Sequence, residues 1–463
     1  MKKTLSITLA TCLLLASLSA TACTDKMANT VLDENVLRVA SWDEYIDMGG
    51  DFLDPTDEDE AAYIAWYKDL TGINLLDTKP LYEEFEDWYF KQTGKKITVE
   101  YVALQDNETM YNKIKMGDRY DLLCPSEYMA MKLKSENLLI PYPDDSTKYN
   151  FFDANVETNY YAQNVSSYTT EIFDKAGLTG YIAGYMWGTT GFVFNPKKIG
   201  SSPEDARKIM SSWHCLTSEA CARKITAKDN TRDSYFMGLG MYYEDYLLGL
   251  NPSDADYTKK LTEAMNDTSP KTMGEVKKLL EKARRNLYGL ETDEGKTDVI
   301  MGRLDASYQW SGDAVFIMDD AELESNLELE YSIPASASNL WFDGWVMMEG
   351  ANVDAATAFV NFLSRPENVI RNMYYIGYTS CIAGEQVYDY VDFTYSDEEG
   401  TVAYDLSYFF GDGFEPLLVD EAQTRRQLFA QYPDVVTKNR LVVMDYFNRD
   451  ENERANRMWN NIK

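Results

Sequence analysis

Residues 97–129 read ITVEYVALQDNETMYNKIKMGDRYDLLCPSEYM, and their order decides the fold class. Ile97, Val99 and Tyr101 alternate in a strand-like run that leads into a polar turn. Asn107-Glu108-Thr109 then opens a short amphipathic helix with Met110 and Ile114 on one face. A second apolar run, Asp121-Leu122-Leu123-Cys124, stops at Pro125-Ser126. Strand, helix and strand in this order form a βαβ unit. Open α/β sheets bind ligands at the carboxyl ends of their strands, which puts Ser126, Glu127 and Tyr128 where a ligand is read. The competing reading is an ordinary helix cap, with Ser126 accepting from backbone N–H groups.

Working outward, the N-terminus sets the compartment. Lys2 and Lys3 precede an apolar run from Leu5 to Leu18, followed by Ala20-Thr21-Ala22-Cys23. A basic start, a short apolar segment and small residues describe an export signal over 1–22. The run is too short and too interrupted by Ser and Thr to span a bilayer. Cys23 follows small residues as in bacterial lipoprotein signals, which gives it as a lipid-attachment site and residues 23–35 as a polar tether. Ala20 stands where that motif prefers Leu, and Ala-Thr-Ala equally suits plain signal cleavage, which leaves Cys23 a free thiol.

The net charge is −32, and the leader holds two lysines and no acidic residue, which makes the mature chain −34. Such acidity disfavours nucleic acid and anionic lipid as partners and concentrates cations near the surface. With 45% hydrophobic and 13% aromatic residues the chain is globular. Its length suggests two or three domains. His214 is the only histidine, which excludes multi-His metal sites and leaves Ser-His-Asp catalysis a single candidate base. Cys215 and Cys221 are close in sequence; a local disulfide or free buried thiols suit them better than zinc, whose ligand spacing they do not match.

Val36–Ser41 reads as the first strand, ending at Trp42-Asp43-Glu44-Tyr45. Residues 47–80 read as an acidic insertion with a helical stretch around Tyr63–Leu70, before a helix at Leu81–Lys91. Residues 151–180 read as irregular, and Tyr185–Asn195 as another strand. Helices are expected around Met237–Leu248, Asp256–Met265 and Met273–Asn286. The alternation indicates an α/β protein with more than one sheet.

Several segments together resemble the bacterial spermidine/putrescine-binding proteins, the solute receptors of polyamine ABC transporters. They are SWDEY at 41–45, NETMYNKIK at 107–115, YDLLCPSEYM at 120–129, YMWGTTGFVFNP at 185–196, DNTRDSYFMGL at 229–239, DASYQWSGDA at 305–314, LWFDGW at 340–345, ATAFVNFLSRPE at 356–367 and YIGYTS at 375–380. Residues 47–80, 145–180 and the tail after about 385 match poorly. The resemblance implies a two-lobe, periplasmic-binding-protein-like (type II) α/β fold with discontinuous lobes and a cleft between them. Carried over, one lobe is 36–187 with 343–385 and the other is 188–342 with 386–463. It further implies a monomeric receptor that passes its solute to an ABC transporter permease, is tethered to the membrane by its lipidated N-terminus, and needs no cofactor, metal or catalytic residue.

A polyamine presents ammonium groups separated by methylenes, so carboxylates must pair the charges and aromatic rings can line the chain. The resemblance supplies a ligand-binding set: Trp42, Asp43, Tyr45, Ser126, Tyr128, Asn230, Asp233, Trp310, Trp341, Asp343 and Tyr378. Asp343, flanked by Trp341, is the expected anchor. Asn230 departs from the Asp that the family's spermidine binders carry there, which supports a cationic amine more than spermidine in particular; Asp43, Asp229 and Glu127 are the carboxylates available to compensate. Two other readings are a receptor of the same fold for another solute, such as ferric iron held by Tyr374-Tyr375, and a secreted glycoside hydrolase with paired carboxylates.

Overall fold

The computed structural model describes residues 33–145, 149–291 and 295–463. The leader, Cys23 and most of the tether therefore lie outside the described residues. Among the described residues no helix is long and apolar enough to cross a membrane.

The βαβ unit is present. Strand β1 (Val36–Trp42) is followed by helices α1 (Glu58–Thr71) and α2 (Leu81–Thr93), strand β2 (Thr98–Leu104), helix α3 (Asn107–Met116), strand β3 (Leu122–Leu123) and helix α4 (Glu127–Ser135). Strand β1 pairs in parallel with β2 (Val36 opposite Thr98) and with β3 (Val39 opposite Leu122). Helix α3 starts where it does because the Asp106 carboxylate accepts from Thr109 N at 2.6 Å, and it stops at Gly117, whose φ of 105° suits glycine. Residues 151–180 are more ordered than expected. Ser166 caps a helix at Ser167–Lys175 that buries Thr169, Ile172 and Phe173.

Two long strands tie the molecule together. Strand β4 (Ile182–Phe194) is buried along its whole length, and antiparallel to it runs a later strand, Ser338–Met348, equally buried. Between them come β5 (Ile225–Lys228), helix α5 (Thr231–Leu248), β6 (Gly289–Glu291), β7 (Ala306–Trp310) and helix α6 (Ser311–Ser325); the later long strand is β8. The strand order is β2-β1-β3-β8-β4-β7-β5-β6. One half of the β4–β8 pair thus belongs to the sheet with β1–β3, and the other half to the sheet with β5–β7. This is the two-lobe α/β architecture, with β4 and β8 as the crossing strands.

The hydrophobic cores follow the same division. Leu37, Val39, Phe85, Leu122, Trp345 and Phe359 belong to one cluster, and Phe192, Trp213, Ile225, Phe236, Tyr308 and Trp459 to another. The expected boundary at 385/386 does not coincide with a change of core. Val387, Val391, Phe409, Leu428 and Tyr432 pack in the first core, whereas Val442, Met458 and Trp459 pack in the second. Phe409 and Tyr432 close over Trp187 with ring centroids 5.5 Å and 6.3 Å away, but just before Tyr432 the chain also packs on the other side: Phe429 and Ala430 join Ile317 and Tyr331 in a third cluster, and Arg426 pairs with Glu322 at 2.7 Å. Cys124, Cys215, Cys221 and Cys381 are free and buried, so the local disulfide does not form; burial pushes the Cys221 thiol up to about 11.

The insertion at 47–80 is anchored rather than loose. Tyr63 stacks on Tyr374 at 3.8 Å, and the buried Arg371 pairs with Asp47 at 2.6 Å and Glu84 at 3.0 Å.

Candidate functional site

The site forms where the crossing strands meet the carboxyl ends of β1 and β3. Register between β4 and β8 slips at Asp343/Gly344: Asp343 faces Met186 but Gly344 faces Gly184. Tyr185 is the extra residue of this bulge, a device that re-aims side chains and often lies beside functional positions. Its hydroxyl donates to the Tyr45 carbonyl at 2.9 Å.

Asp343 sits at the centre and is 5% exposed. Its Oδ2 accepts from Trp42 Nε1 at 3.0 Å and from the Tyr45 hydroxyl at 2.8 Å. Its Oδ1 is buried with no hydrogen-bond partner. Burial raises the Asp343 carboxyl pKa, against the lowering pull of Ser126, Tyr45 and Trp42. Ser126 bridges Asp343 through the backbone. Its side chain makes no cap bond to α4; instead its Oγ accepts from Asn107 Nδ2 at 3.0 Å. The cap reading of Ser126 is thereby set aside.

Glu127 is a second buried carboxyl, 1% exposed, whose Oε2 accepts from Phe342 N at 3.2 Å. Burial first, and then the nearby Asp343 charge, raise its pKa to about 8. Burial and mutual repulsion thus oppose ionising the two neighbouring carboxyls together.

From Tyr45 the cluster continues by ring contacts. Tyr378 lies edge-on to Tyr45 at 6.0 Å and against Trp341 at 5.3 Å. Trp341 donates from Nε1 to the Thr189 carbonyl at 3.1 Å. Close approach here demands glycine: a Cβ on Gly188 would come within 2.4 Å of Ser311 Oγ and 2.6 Å of Trp341, and one on Gly312 within 1.5 Å of the Tyr378 ring. The Tyr378 hydroxyl reaches Asp313 Oδ1 at 3.1 Å.

Asp313 carries the second-lobe side of the cluster. Lys228 Nζ pairs with its Oδ2 at 3.0 Å and Lys296 Nζ with its Oδ1 at 2.8 Å. Burial works to raise its pKa, but Lys228 and Lys296 outweigh it and hold the carboxyl below the ordinary range. The Lys228 ammonium also stands 3.7 Å from the centroid of the Trp310 ring.

Asn230 and Asp233 open helix α5. Asn230 Oδ1 accepts from Asp233 N at 2.7 Å, and its Nδ2 donates to Asp233 Oδ2, so the amide is engaged as a helix cap. Asp233 is buried, and burial raises its pKa against the pull of Asn230, Lys228 and Arg232. Tyr128 donates weakly to Glu108 at 3.3 Å and lies under the Arg232 guanidinium at 4.4 Å, which also covers Phe447 at 4.1 Å. Asp43 stays exposed, outside the cluster.

Trp42, Tyr45, Ser126, Asp343, Trp341, Tyr378 and Trp310 are thus brought together, with Tyr128, Asp233 and Asn230 at the margin. Asp313, Lys228 and Arg232 were not singled out from sequence. The available signal was Asp313 three residues after Trp310, in the first turn of α6. Tyr374 and Tyr375, the iron pair, pack instead on Tyr63 at 3.8 Å and Phe52 at 5.7 Å. Burial raises the Tyr374 hydroxyl pKa, which opposes the phenolate that iron requires.

The chain is 26% identical over 282 residues to the spermidine/putrescine-binding periplasmic protein of Salmonella typhimurium, covering 60% of this chain and 68% of that one. The Escherichia coli protein of the same name is 25% identical over 293 residues, 63% of this chain and 71% of the relative. Among solved structures, a spermidine/putrescine ABC transporter substrate-binding protein from Streptococcus pneumoniae superposes with a TM-score of 0.57 at 24% identity, covering 92% of this chain and 98% of that one, and shares the fold. The model of the family described as bacterial extracellular solute-binding protein matches residues 81–392, two-thirds of the chain, and the protein belongs to that family.

Proposed function

We propose that the protein is an extracytoplasmic receptor that binds a small polyamine-like amine between its lobes and delivers it to an ABC transporter permease. The observation that carries this reading is Asp343 Oδ1, a buried carboxylate oxygen with no partner, beside Glu127 and walled by aromatic rings. A buried unpaired charge is costly, and an ammonium group would offset that cost for both carboxyls at once. Trp42, Tyr45, Trp341 and Tyr378 would flank the methylenes, with Ser126, Tyr128, Asn230, Asp233 and Trp310 bordering the cleft. The names of the relatives support the same ligand class.

In this reading one lobe is 36–187 with 343 to about 420, the other 188–342 with about 442–463, residues 426–432 touch both, and the cleft closes on ligand. Cys23 carries the lipid that holds the receptor at the membrane, and one chain supplies both walls, so a monomer suffices. Calorimetric titration against putrescine, spermidine, cadaverine and several amino acids tests the reading. Heat is expected with the amines and not with neutral amino acids; silence with every amine would sink it. For the tether, Cys23→Ser should free the protein from membranes, and an unmodified Cys23 in soluble wild-type protein would refute acylation.

A further inference from the structure

Three buried acidic groups border the cleft besides Glu127, and their partners differ. Asp343 and Asp233 form no ion pair with a Lys or Arg among the described residues, and Asp343 keeps one bare oxygen. Asp313 is fully committed: Lys228 and Lys296 take its two oxygens at 3.0 Å and 2.8 Å, and the Tyr378 hydroxyl adds a contact at 3.1 Å. Lys228 is itself 1% exposed, and its ammonium covers the Trp310 face at 3.7 Å. A carboxylate and an indole face around an ammonium are what an amine site offers a ligand. Here a side chain of the protein fills them.

We infer that Lys228 is a built-in amine occupying the Trp310–Asp313 position, so that the site admits a diamine and discriminates against a triamine. The inference rests on the amine reading above and narrows it. A diamine finds Asp343 and Asp233 for its two ends. The third ammonium of a triamine meets Lys228 and Lys296, whose like charges repel it at close range, and discrimination by such a repulsive element needs no new attractive contact.

The test compares putrescine with spermidine by calorimetry on the wild-type protein, Lys228→Met and Lys296→Met. Wild-type protein should bind putrescine more tightly, by about ten-fold. Lys228→Met should shift the ratio of the two affinities toward spermidine by about ten-fold, and Lys296→Met, at a side chain 22% exposed against 1% for Lys228, should shift it in the same direction by less. Should both variants fail to fold, the wild-type preference decides alone. Equal or tighter spermidine binding by wild-type protein, or an unchanged ratio in a folded Lys228→Met, overturns this inference and leaves the amine reading standing. Binding of neither amine removes both.

Discussion

The Tyr45 hydroxyl donates a 2.8 Å hydrogen bond to Oδ2 of Asp343, 298 positions away in sequence. With Trp42 on the same oxygen, the protein saturates one side of this carboxylate and leaves Oδ1 bare. A buried carboxylate held in this way is oriented before ligand arrives.

Asp343→Ala should therefore weaken amine binding severely while the protein stays folded. Truncating one partner of a desolvated charge pair typically costs about 2–5 kcal/mol, or roughly thirty-fold or more in affinity. The truncation also strips Trp42 Nε1 and the buried Tyr45 hydroxyl of their acceptor, so the melting temperature should fall modestly without loss of the fold. An unchanged dissociation constant would refute the anchor.

Glu127 gives the binding a pH dependence. Its pKa rises from 4.5 to about 8 in the folded protein, so the folded state holds a proton that the unfolded chain has lost. The sign follows from linkage: the empty protein keeps its full stability below pH 4.5 and loses this contribution as pH rises through about 8. An arriving ammonium favours the carboxylate, so binding near neutrality should release a proton and tighten as pH rises toward 8. Calorimetry in buffers of different ionisation enthalpy reads the proton directly, and Glu127→Gln should abolish its release.

Gly312→Ala should damage the site through packing. The added Cβ would come to 1.5 Å from Tyr378 Cδ1, so the ring must move away from Trp341 and Asp313. Overpacking of this kind costs about 1–3 kcal/mol. Gly274→Ala is the control: nothing lies within 4 Å of its added Cβ, on the helix Pro270–Asn286. It should stabilise by up to about 1 kcal/mol. Equal effects of the two in chemical denaturation would contradict the packing account.

Arg371→Ala should be the most destabilising of these changes. It leaves Asp47 buried without its 2.6 Å partner and strips Glu84 and the Lys79 carbonyl of theirs. Breaking a buried pair on one side costs about 3–5 kcal/mol. Urea unfolding checks this, and residues 47–80 should become protease-sensitive first.

Contacts between the lobes make closure measurable. Tyr378 of the first lobe reaches Asp313 of the second at 3.1 Å, and Tyr128 lies under Arg232 at 4.4 Å. A ligand completing contacts on both sides shifts the population toward the closed form. Small-angle scattering should show a smaller radius of gyration with amine, and tryptophan emission should change. Tight binding without either change would locate the ligand inside a single lobe.

The strand–helix order of residues 97–129, the start of α3 at Asn107 and a strand read at Tyr185–Asn195, which runs in the structure over Ile182–Phe194, were legible in sequence, because apolar spacing and capping are set by near neighbours. The anchor Asp343 and its partners Trp42 and Tyr45 were reached through the family resemblance, not through spacing. Asp43 sits beside Trp42 in sequence but faces solvent, which a linear pattern at a strand end does not reveal.

By itself, then, the sequence determined the α/β class and the strand–helix–strand order around residues 97–129. Only the tertiary structure decided which core the segments after 385 join, since the burial of Phe409 and Tyr432 over Trp187 is a contact between distant segments. It also decided which carboxylates are spoken for. Lys228 and Asp313 are 85 positions apart, and a lysine ending a strand carries no local mark of its partner. Charge pairing and desolvation act through space, and the fold alone brings those groups within reach of one another.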